Sequence, residues 1–498
     1  MRIMHINFAP LEKGPSRAGG IAGYMQSLAL EQSTAGHRVS ALSCGSAYTP
    51  SVCGTRMGEL GWRALEPWRG VDRLEIVNSP NLAPSLWQFG SASQEGESDD
   101  LDQVFTELLV DWKPEIVHIH SLEGLAASCI HRAVEMGVRV IMSLHNYHPF
   151  CPQVYLMQGR RSPCHDFRGG MECNGCETPI DIHQERLRRA GVIDSQLPAI
   201  QPPPLPPVLR FEESGVSKPD SAELLTNRHV HWQPLENKEP SSRTAQISTN
   251  EYGERRAKMV RALNACDRVL AVSTFVHDLA ISMGVEEHRL KTQAIGTPSA
   301  TKLIQPKANI DGILRMVFLG FNNYYKGLPM LVDAIGLLEP RLRKRVHLSA
   351  FGPGCPAVRE RAEAIRPRLA GLKLSGPYSK ERIPDLLAGC DVGVVPSVWW
   401  DNGPQTLMEF QSHGLPVLAS QLGGIPDRIQ HGVNGLLFRG NDRIDAARQI
   451  SSLLTVPDLL NQLWEGVSVG LSVAEHAKEV VEVYEQTLEL PGRLRSGN

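Results

Sequence analysis

Along most of the 498 residues, short apolar runs alternate with longer stretches whose apolar positions recur at helical spacing. The opening of the chain shows the unit. Arg2–Asn7 reads as a strand, Pro15–Gly20 as a glycine-bearing loop, Ile21–Ser33 as a helix and His37–Leu42 as a second strand. Strand, helix and strand joined by short connections predict a parallel sheet, because parallel neighbours need a crossover between them. Further strands are predicted at Ile116–Ile119, Val138–Leu144 and Val269–Val272, with helices at Leu101–Asp111 and Leu122–Glu135. A second series starts near Leu314. Its strands are Arg315–Leu319, Val346–Ala350, Lys373–Ser375, Val392–Val395 and Val417–Ala419. Its helices are Leu328–Leu338, Ala357–Ala370 and Lys380–Ala388, and a last helix follows at Val473–Leu488. The expected fold is α/β, with two doubly wound Rossmann-like domains facing across a cleft. The boundaries fall at 1–298, 299–472 and a final helix, 473–490, packing back on the first domain.

The pattern lapses at about 180–250. Prolines stand at 202, 203, 204, 206 and 207, followed by polar sequence of weak periodicity. Such composition favours extended or disordered chain. The segment reads as a flexible insertion in the first domain, either a passive surface loop or a lid or docking arm for a ligand, with the fold resuming near Tyr252.

Composition narrows the classes. Hydrophobic residues make up 42%, enough for sizeable cores, and the net charge is −3. That balance gives no basic patch of the kind nucleic-acid binding requires. No apolar run approaches the roughly 20 residues of a membrane helix. The opening MRIMHINFAP reads as a strand rather than a signal peptide. These features lead to the expectation of a cytoplasmic protein, with peripheral association at the inner membrane face as an extension of it. The ten cysteines are then expected to be reduced or metal-bound.

Residues 396–435 carry most of the chemistry. The run DVGVVPS ends in a loop bearing Asp401; then come Gly403-Pro404, a short amphipathic helix holding Glu409, and Gly414-Leu-Pro. Pro404 fits the first helical position and Gly414 the left-handed stop, so the helix is expected from about 404 to 413. Amides at a helix N-terminus bind phosphate. Two acids bracketing that terminus suit the hydroxyls of a phosphate-linked polyol.

This stretch resembles the donor site of the bacterial family-four retaining glycosyltransferases, whose motif is Glu, seven residues, Glu, then Gly-x-Pro-Val and a GG-x-x-E/D…G-x-x-G-x-L tail. Here the acids are Asp401 and Glu409, and the tail runs Gly414, Pro416, Val417, Gly423, Gly424, Asp427, Gly432, Gly435. The resemblance spans about 1–180 and 252–490. It implies the two-Rossmann GT-B architecture and transfer from a UDP-, GDP- or ADP-linked sugar to a saccharide, lipid-linked or small-molecule acceptor, with no cofactor required. Lys326 is expected to offset diphosphate charge, together with backbone amides of Gly403, Gln405 and Thr406. The family's Arg before this Lys-Gly is missing: Gly320 is followed by Phe321. By the same resemblance, Asp401 binds sugar hydroxyls near the reacting carbon and Glu409 binds the ribose. The base lies against Gly352-Pro-Gly354 and Gly376-Pro-Tyr378, where Tyr378 either stacks on it or simply packs. Gly19 and Gly20 adjoin the diphosphate and acceptor, and His145 lies by the transferred sugar. His120 is expected near the site and His118 in a structural place.

Metal-dependent transferases use Asp-x-Asp, and no such motif falls at a strand end here. Cys151, Cys164, Cys173 and Cys176 cluster in one glycine-rich segment, and Cys173-x-x-Cys176 has knuckle spacing. A structural zinc, free thiols, or a disulfide or iron–sulfur site are the readings open. For function the alternatives to a retaining transferase are a weak or inactive sugar-nucleotide-binding partner of another transferase, a GT-B-type epimerase or a phosphorylase.

Overall fold

The computed structural model describes residues 1–49, 58–81, 83–84, 92–159, 162–176, 182–190, 250–297, 311–320, 324–354 and 356–491. It divides into two compact units. One holds the described residues through Gly296 together with those from Val473 onward; the other holds those of Thr297–Ser472.

The first unit is built on an eight-stranded sheet. Its strands are β1 (Arg2–Asn7), β2 (Arg38–Ala47), β3 (Gly61–Trp68), β4 (Val71–Val77), β5 (Ile116–Ile119) and β6 (Arg139–Leu144), then, past a two-residue ribbon of β7 (Met157–Gln158) and β8 (Ser162–Pro163), β9 (Arg268–Ala271) and β10 (Leu290–Thr292). The order is β10-β9-β6-β5-β1-β2-β4-β3, parallel except for the antiparallel edge strand β3. β1 therefore sits between β2 and β5, which is the switch point of a doubly wound sheet. The β3–β4 hairpin was not expected from the sequence: Gly61–Trp68 is largely half-buried or exposed and lacks a continuous apolar run.

Three further differences have local causes. The helix expected from Ile21 spans Gly14–Thr34, and the expected loop Pro15–Gly20 is absorbed into it as a kink at Gly19, where φ is 73°. The helix expected from Leu122 starts only at Ser128. Within the region read as irregular, Ile182–Arg189 is helical; 191–249, the bulk of the predicted insertion, lies outside the described residues. The fold resumes two residues before Tyr252, with Asn250 capping the helix Glu251–Ala265 through its side chain. The last helix, Val473–Leu488, buries His476, Ala477, Val480, Val483 and Tyr484 along one face and packs on the helix Gly14–Thr34.

The second unit has six parallel strands: β11 (Leu314–Leu319), β12 (Val346–Phe351), β13 (Gly371–Ser375), β14 (Val392–Val395), β15 (Val417–Gln421) and β16 (Gly435–Arg439). Their order is β13-β12-β11-β14-β15-β16, so the switch point lies between β11 and β14. β11 is buried on both faces. Met316 and Phe318 join one apolar cluster, while Val317 and Leu319 join the other, as a two-residue period requires. Prolines trim the helices the sequence suggested. Ala357–Ala370 becomes Pro356–Ile365 plus a tight turn at Arg366–Arg368 containing Pro367, and Lys380–Ala388 divides at Pro384 into a tight turn and Ile383–Leu387. β16 was missed because a five-residue strand within a glycine-rich tail carries little periodic signal.

Candidate active site

Ligands of open α/β sheets bind beyond the carboxyl ends of the strands at the switch point. In the second unit that place is formed by the loops after β11 and β14. The first carries Lys326 and the second Asp401. They meet: Lys326 Nζ donates to Asp401 Oδ2 at 2.8 Å. The same oxygen accepts from Ser397 Oγ at 3.1 Å, and Lys326 also lies 5.5 Å from the Trp399 ring centroid.

Two glycines make this approach possible. The Val398 N–H donates to the Tyr325 carbonyl at 3.0 Å, binding the loops together. A Cβ on Gly327 would fall 1.6 Å from the Pro396 carbonyl oxygen, and φ there is 78°. Any side chain would force the lysine loop away from β14. Gly423 has φ 59°, and its Cβ would lie 2.3 Å from the Asp401 carbonyl oxygen. The next amide, Gly424 N–H, donates to that oxygen at 2.7 Å. The Gly-Gly pair of the motif tail thus clamps the backbone of the acid.

The helix after Asp401 spans Gln405–Ser412. Pro404 is its N-cap, with extended ψ of 124°, not its first helical residue as the sequence suggested. Gly414, at φ 73°, follows the C-cap His413 as expected. Gly403, Gln405 and Thr406 stand at the amide-bearing end, beside Asp401. Glu409 lies one turn in and is buried. Burial raises its pKa, an effect offset in part by the nearby Lys380 charge. Tyr378 is half-buried, packs on the apolar cluster behind this helix, and has its pKa raised by burial and by Glu409. At the ends of β12 and β13 a pocket is lined by Leu328, Gly352, Gly354, Arg359, Ser375 and Gly376. The strand-end loops singled out in the sequence therefore do border a cavity, with Tyr378 just beyond its lining.

One group here has no counterpart in the sequence reading. Asn402 is 4% exposed, and neither its Oδ1 nor its Nδ2 meets a partner among the described residues. An unpaired buried amide is costly, and such groups cluster where a ligand completes them. Sequence offered no signal beyond adjacency to Asp401. Residues 321–323, where the family's missing arginine would fall, lie outside the described residues.

The first unit gathers a second constellation at its own switch point. His5 lies on β1, His118 on β5, His120 just after it, and His145 just after β6. His145 is half-buried and bonds His120, with Nε2 of the one 3.2 Å from Nδ1 of the other. Burial, and then the neighbouring His476, press its pKa down to about 3. His118 is fully buried between Ser143 Oγ at 2.7 Å and Tyr484 Oη at 2.6 Å, a structural place. At Gly19 a Cβ would meet nothing, so that turn has open space beside it; Gly20 follows in the same kinked segment.

The four cysteines fall together between β6 and the helix Glu251–Ala265. Cys151, Cys173 and Cys176 are buried and Cys164 half-buried. Burial raises the pKa of Cys164 and Cys173 to about 12, with the other thiols adding to it and the buried Arg256 guanidinium opposing it. Among the described residues, the group of three ligand atoms close enough to share an ion is not theirs; it is His5, His118 and His120.

Two Rossmann-like units with these strand orders are the GT-B architecture of glycosyltransferases. Residues 314–456, the bulk of the second unit, match the family described as Glycosyl transferases group 1. A D-inositol 3-phosphate glycosyltransferase of Streptomyces bingchenggensis is 27% identical over 198 residues, 36% of this chain and 42% of that protein. The chain thus spans under half the length of the curated relatives it matches. Among solved structures, sucrose-phosphate synthase from Thermosynechococcus elongatus matches with a TM-score of 0.57 at 14% identity, covering 97% of this chain and 98% of that one. Anabaena HepE, solved in complex with UDP and glucose, matches with a TM-score of 0.54 at 12% identity, covering 98% and 100%.

Proposed function

We propose that this chain is a glycosyltransferase that moves a sugar from a nucleotide diphosphate to a hydroxyl acceptor, retaining anomeric configuration. The observation that carries the reading is the meeting of Lys326 and Asp401 across the β11/β14 switch point, beside the N-terminus of the Gln405–Ser412 helix. A cation and helix amides suit a diphosphate. Asp401 and the unpaired Asn402 suit sugar hydroxyls, and Glu409 suits a ribose.

In the proposed step, the bond between the sugar's anomeric carbon and the phosphate oxygen breaks. The acceptor oxygen bonds that carbon on the same face, and its proton passes to the departing phosphate. The protein then contributes positioning and charge stabilisation rather than a strong base. With Lys326 and the helix offsetting the leaving charge, transfer is expected to persist in chelator. A UDP-linked sugar is the first donor to try, since HepE was solved with UDP and glucose. The names of two relatives point to phosphorylated polyols or sugars as acceptors. A structural zinc on the four cysteines is a separate proposal. Four soft donors in one segment and the offsetting Arg256 favour it, and near-stoichiometric zinc lost on Cys173→Ser is the expected result of metal analysis.

Labelled UDP-, GDP- and ADP-sugars test the main reading. Expected is one nucleotide that stabilises the protein by about 2.7 kcal/mol at 100 times its dissociation constant, and that yields labelled product. Lys326→Ala and Glu409→Ala should each weaken that binding by about 1.5–3 kcal/mol. Binding without turnover over a broad acceptor panel would replace the enzyme by a sugar-nucleotide-binding partner, a reading the missing arginine and the shorter first acid favour.

A further inference from the structure

We propose that Gln32 fixes the proton positions along a buried chain of histidines that ends at His145, making Gln32, His5 and His120 positioning residues for that ring. Gln32 is 1% exposed on the helix Gly14–Thr34. Its Oε1 lies 2.7 Å from His5 Nε2. His5 Nδ1 lies 2.9 Å from His120 Nε2, and His120 Nδ1 lies 3.2 Å from His145 Nε2. Three rings thus run in series from the protein interior to a half-buried residue at a strand end.

The direction of the chain follows from bonding rules. An amide oxygen only accepts, so His5 Nε2 carries the hydrogen. A neutral imidazole has one N–H, so His5 Nδ1 accepts and His120 Nε2 donates. The same step repeats: His120 Nδ1 accepts and His145 Nε2 donates. His145 Nδ1 is left with a lone pair, and no described residue bonds it. The other end of the amide agrees. Gln32 Nε2 donates to Tyr484 Oη at 3.5 Å, leaving that hydroxyl to donate to His118 Nδ1, while His118 Nε2–H donates to Ser143. Turning the amide over would reverse every donor in both branches. One glutamine therefore decides which nitrogen of His145 can accept.

Burial keeps the rings neutral, as the rule requires: His5 is pressed to about 4, and His118 and His120 well below their ordinary value. The three rings nearest the interior also lie close enough to share a metal ion. All six of their nitrogens, however, are already hydrogen-bonded to protein groups, which describes a closed network rather than a ligand cage.

The consequence concerns the proposed transferase and rests on that reading: His145 meets a sugar hydroxyl as an acceptor through Nδ1. The network itself does not depend on it. The test is nitrogen-15 NMR of histidine-labelled full-length protein, with the ring assigned through His145→Gln. Expected is a single His145 tautomer protonated at Nε2. Protonation at Nδ1, a tautomer mixture, or a charged ring in the wild type would overturn the proposal. Gln32→Leu should lose the single-tautomer pattern, and Gln32→Glu, which can only accept, should retain it. A folded Gln32→Leu protein with the wild-type pattern would remove Gln32 from its role. Should Gln32→Leu not fold, the wild-type and Gln32→Glu spectra decide. Absence of transferase activity leaves these spectra readable, so the two readings fail separately.

Discussion

The two units place polar groups at the same topological position and treat them in opposite ways. In the first, five histidines crowd the switch point, yet burial holds His5, His118, His120 and His145 neutral, and the hydrogen bonds close on one another. In the second, a lysine and two carboxylates stand around a helix terminus, Lys326 remains partly exposed, and Asn402 is buried with no partner among the described residues. A closed neutral network orients a ring. An open charged one awaits an anion and hydroxyls. The same sheet topology thus supplies an orienting surface in one unit and a binding surface in the other.

The largest effect expected is on the second unit. Gly327→Ala places a methyl against the Pro396 carbonyl at a backbone angle that residues with side chains rarely adopt. Strain and overpacking together should cost roughly 2–5 kcal/mol. Calorimetry should show an earlier transition, with nucleotide binding weakened in the molecules that stay folded, because the loop carrying Lys326 is displaced. Wild-type stability with wild-type affinity would mean that the loop contact does not position the lysine.

The first unit should answer to acid instead. His5, His118, His120 and His145 have lower pKa values folded than unfolded, so below the unfolded value near 6.5 the unfolded chain takes up protons that the folded one does not. Stability is therefore fully present above about pH 6.5 and is lost as the pH falls toward 4. His5, moved from 6.5 to about 4, corresponds alone to about 3 kcal/mol. The rings titrate as a coupled set, so their contributions do not add. Unfolding measured from pH 7 to 4.5 should show the loss, and His5→Gln should flatten the slope. A stability independent of pH across that window would mean that the rings admit water and titrate normally.

How much of this contrast could be read in the chain depends on distance along it. The strands β11 to β15 and the helix Val473–Leu488 were legible because each is a local pattern of apolar positions. So were the acids Asp401 and Glu409 and the paired glycines, which one short stretch holds, whereas Lys326, 75 positions away on the loop after β11, was suggested only by the family resemblance. The histidine network was not. Its members lie 27, 115 and 25 positions apart, and Tyr484 reaches His118 across 366. Only the tertiary fold joins them. Asn402 was missed for another reason: an unsatisfied amide is a property of surroundings, not of sequence. The edge strand β3 escaped because it is half-exposed, and polar alternation resembles a loop.

Asn402 offers a sharper cut between the two behaviours. Removing a polar group that has no partner should stabilise, where removing one from a closed network should destabilise. Asn402→Leu is expected to raise stability by about 1–2 kcal/mol while weakening binding of the nucleotide-sugar more than of the free nucleotide. A fall in stability would show that Asn402 is already satisfied and belongs to the scaffold.

The smallest effect expected is at Asp401, where the family motif has glutamate. Four hydrogen bonds hold the aspartate: Lys326 and Ser397 on one carboxylate oxygen, the Gly424 amide on its backbone carbonyl, and its own N–H on the Trp399 carbonyl. Asp401→Glu leaves the backbone clamp intact and inserts one methylene into a site only 5% exposed. The longer chain is flexible, and Lys326 lies on a loop that can follow it. Mild overpacking of about 1 kcal/mol should lower the melting temperature by about 2–4 °C for a unit of this size. Nucleotide affinity should stay within about threefold, because less than about 0.7 kcal/mol separates the two. Transfer should persist at a comparable or higher rate if the shorter acid and the longer one reach the same sugar hydroxyls. Retained nucleotide binding with transfer abolished would give the opposite answer. The site would then be shaped around the shorter carboxylate, with Asn402 filling the space the longer one needs, and the donor sugar would be one that glutamate cannot accommodate.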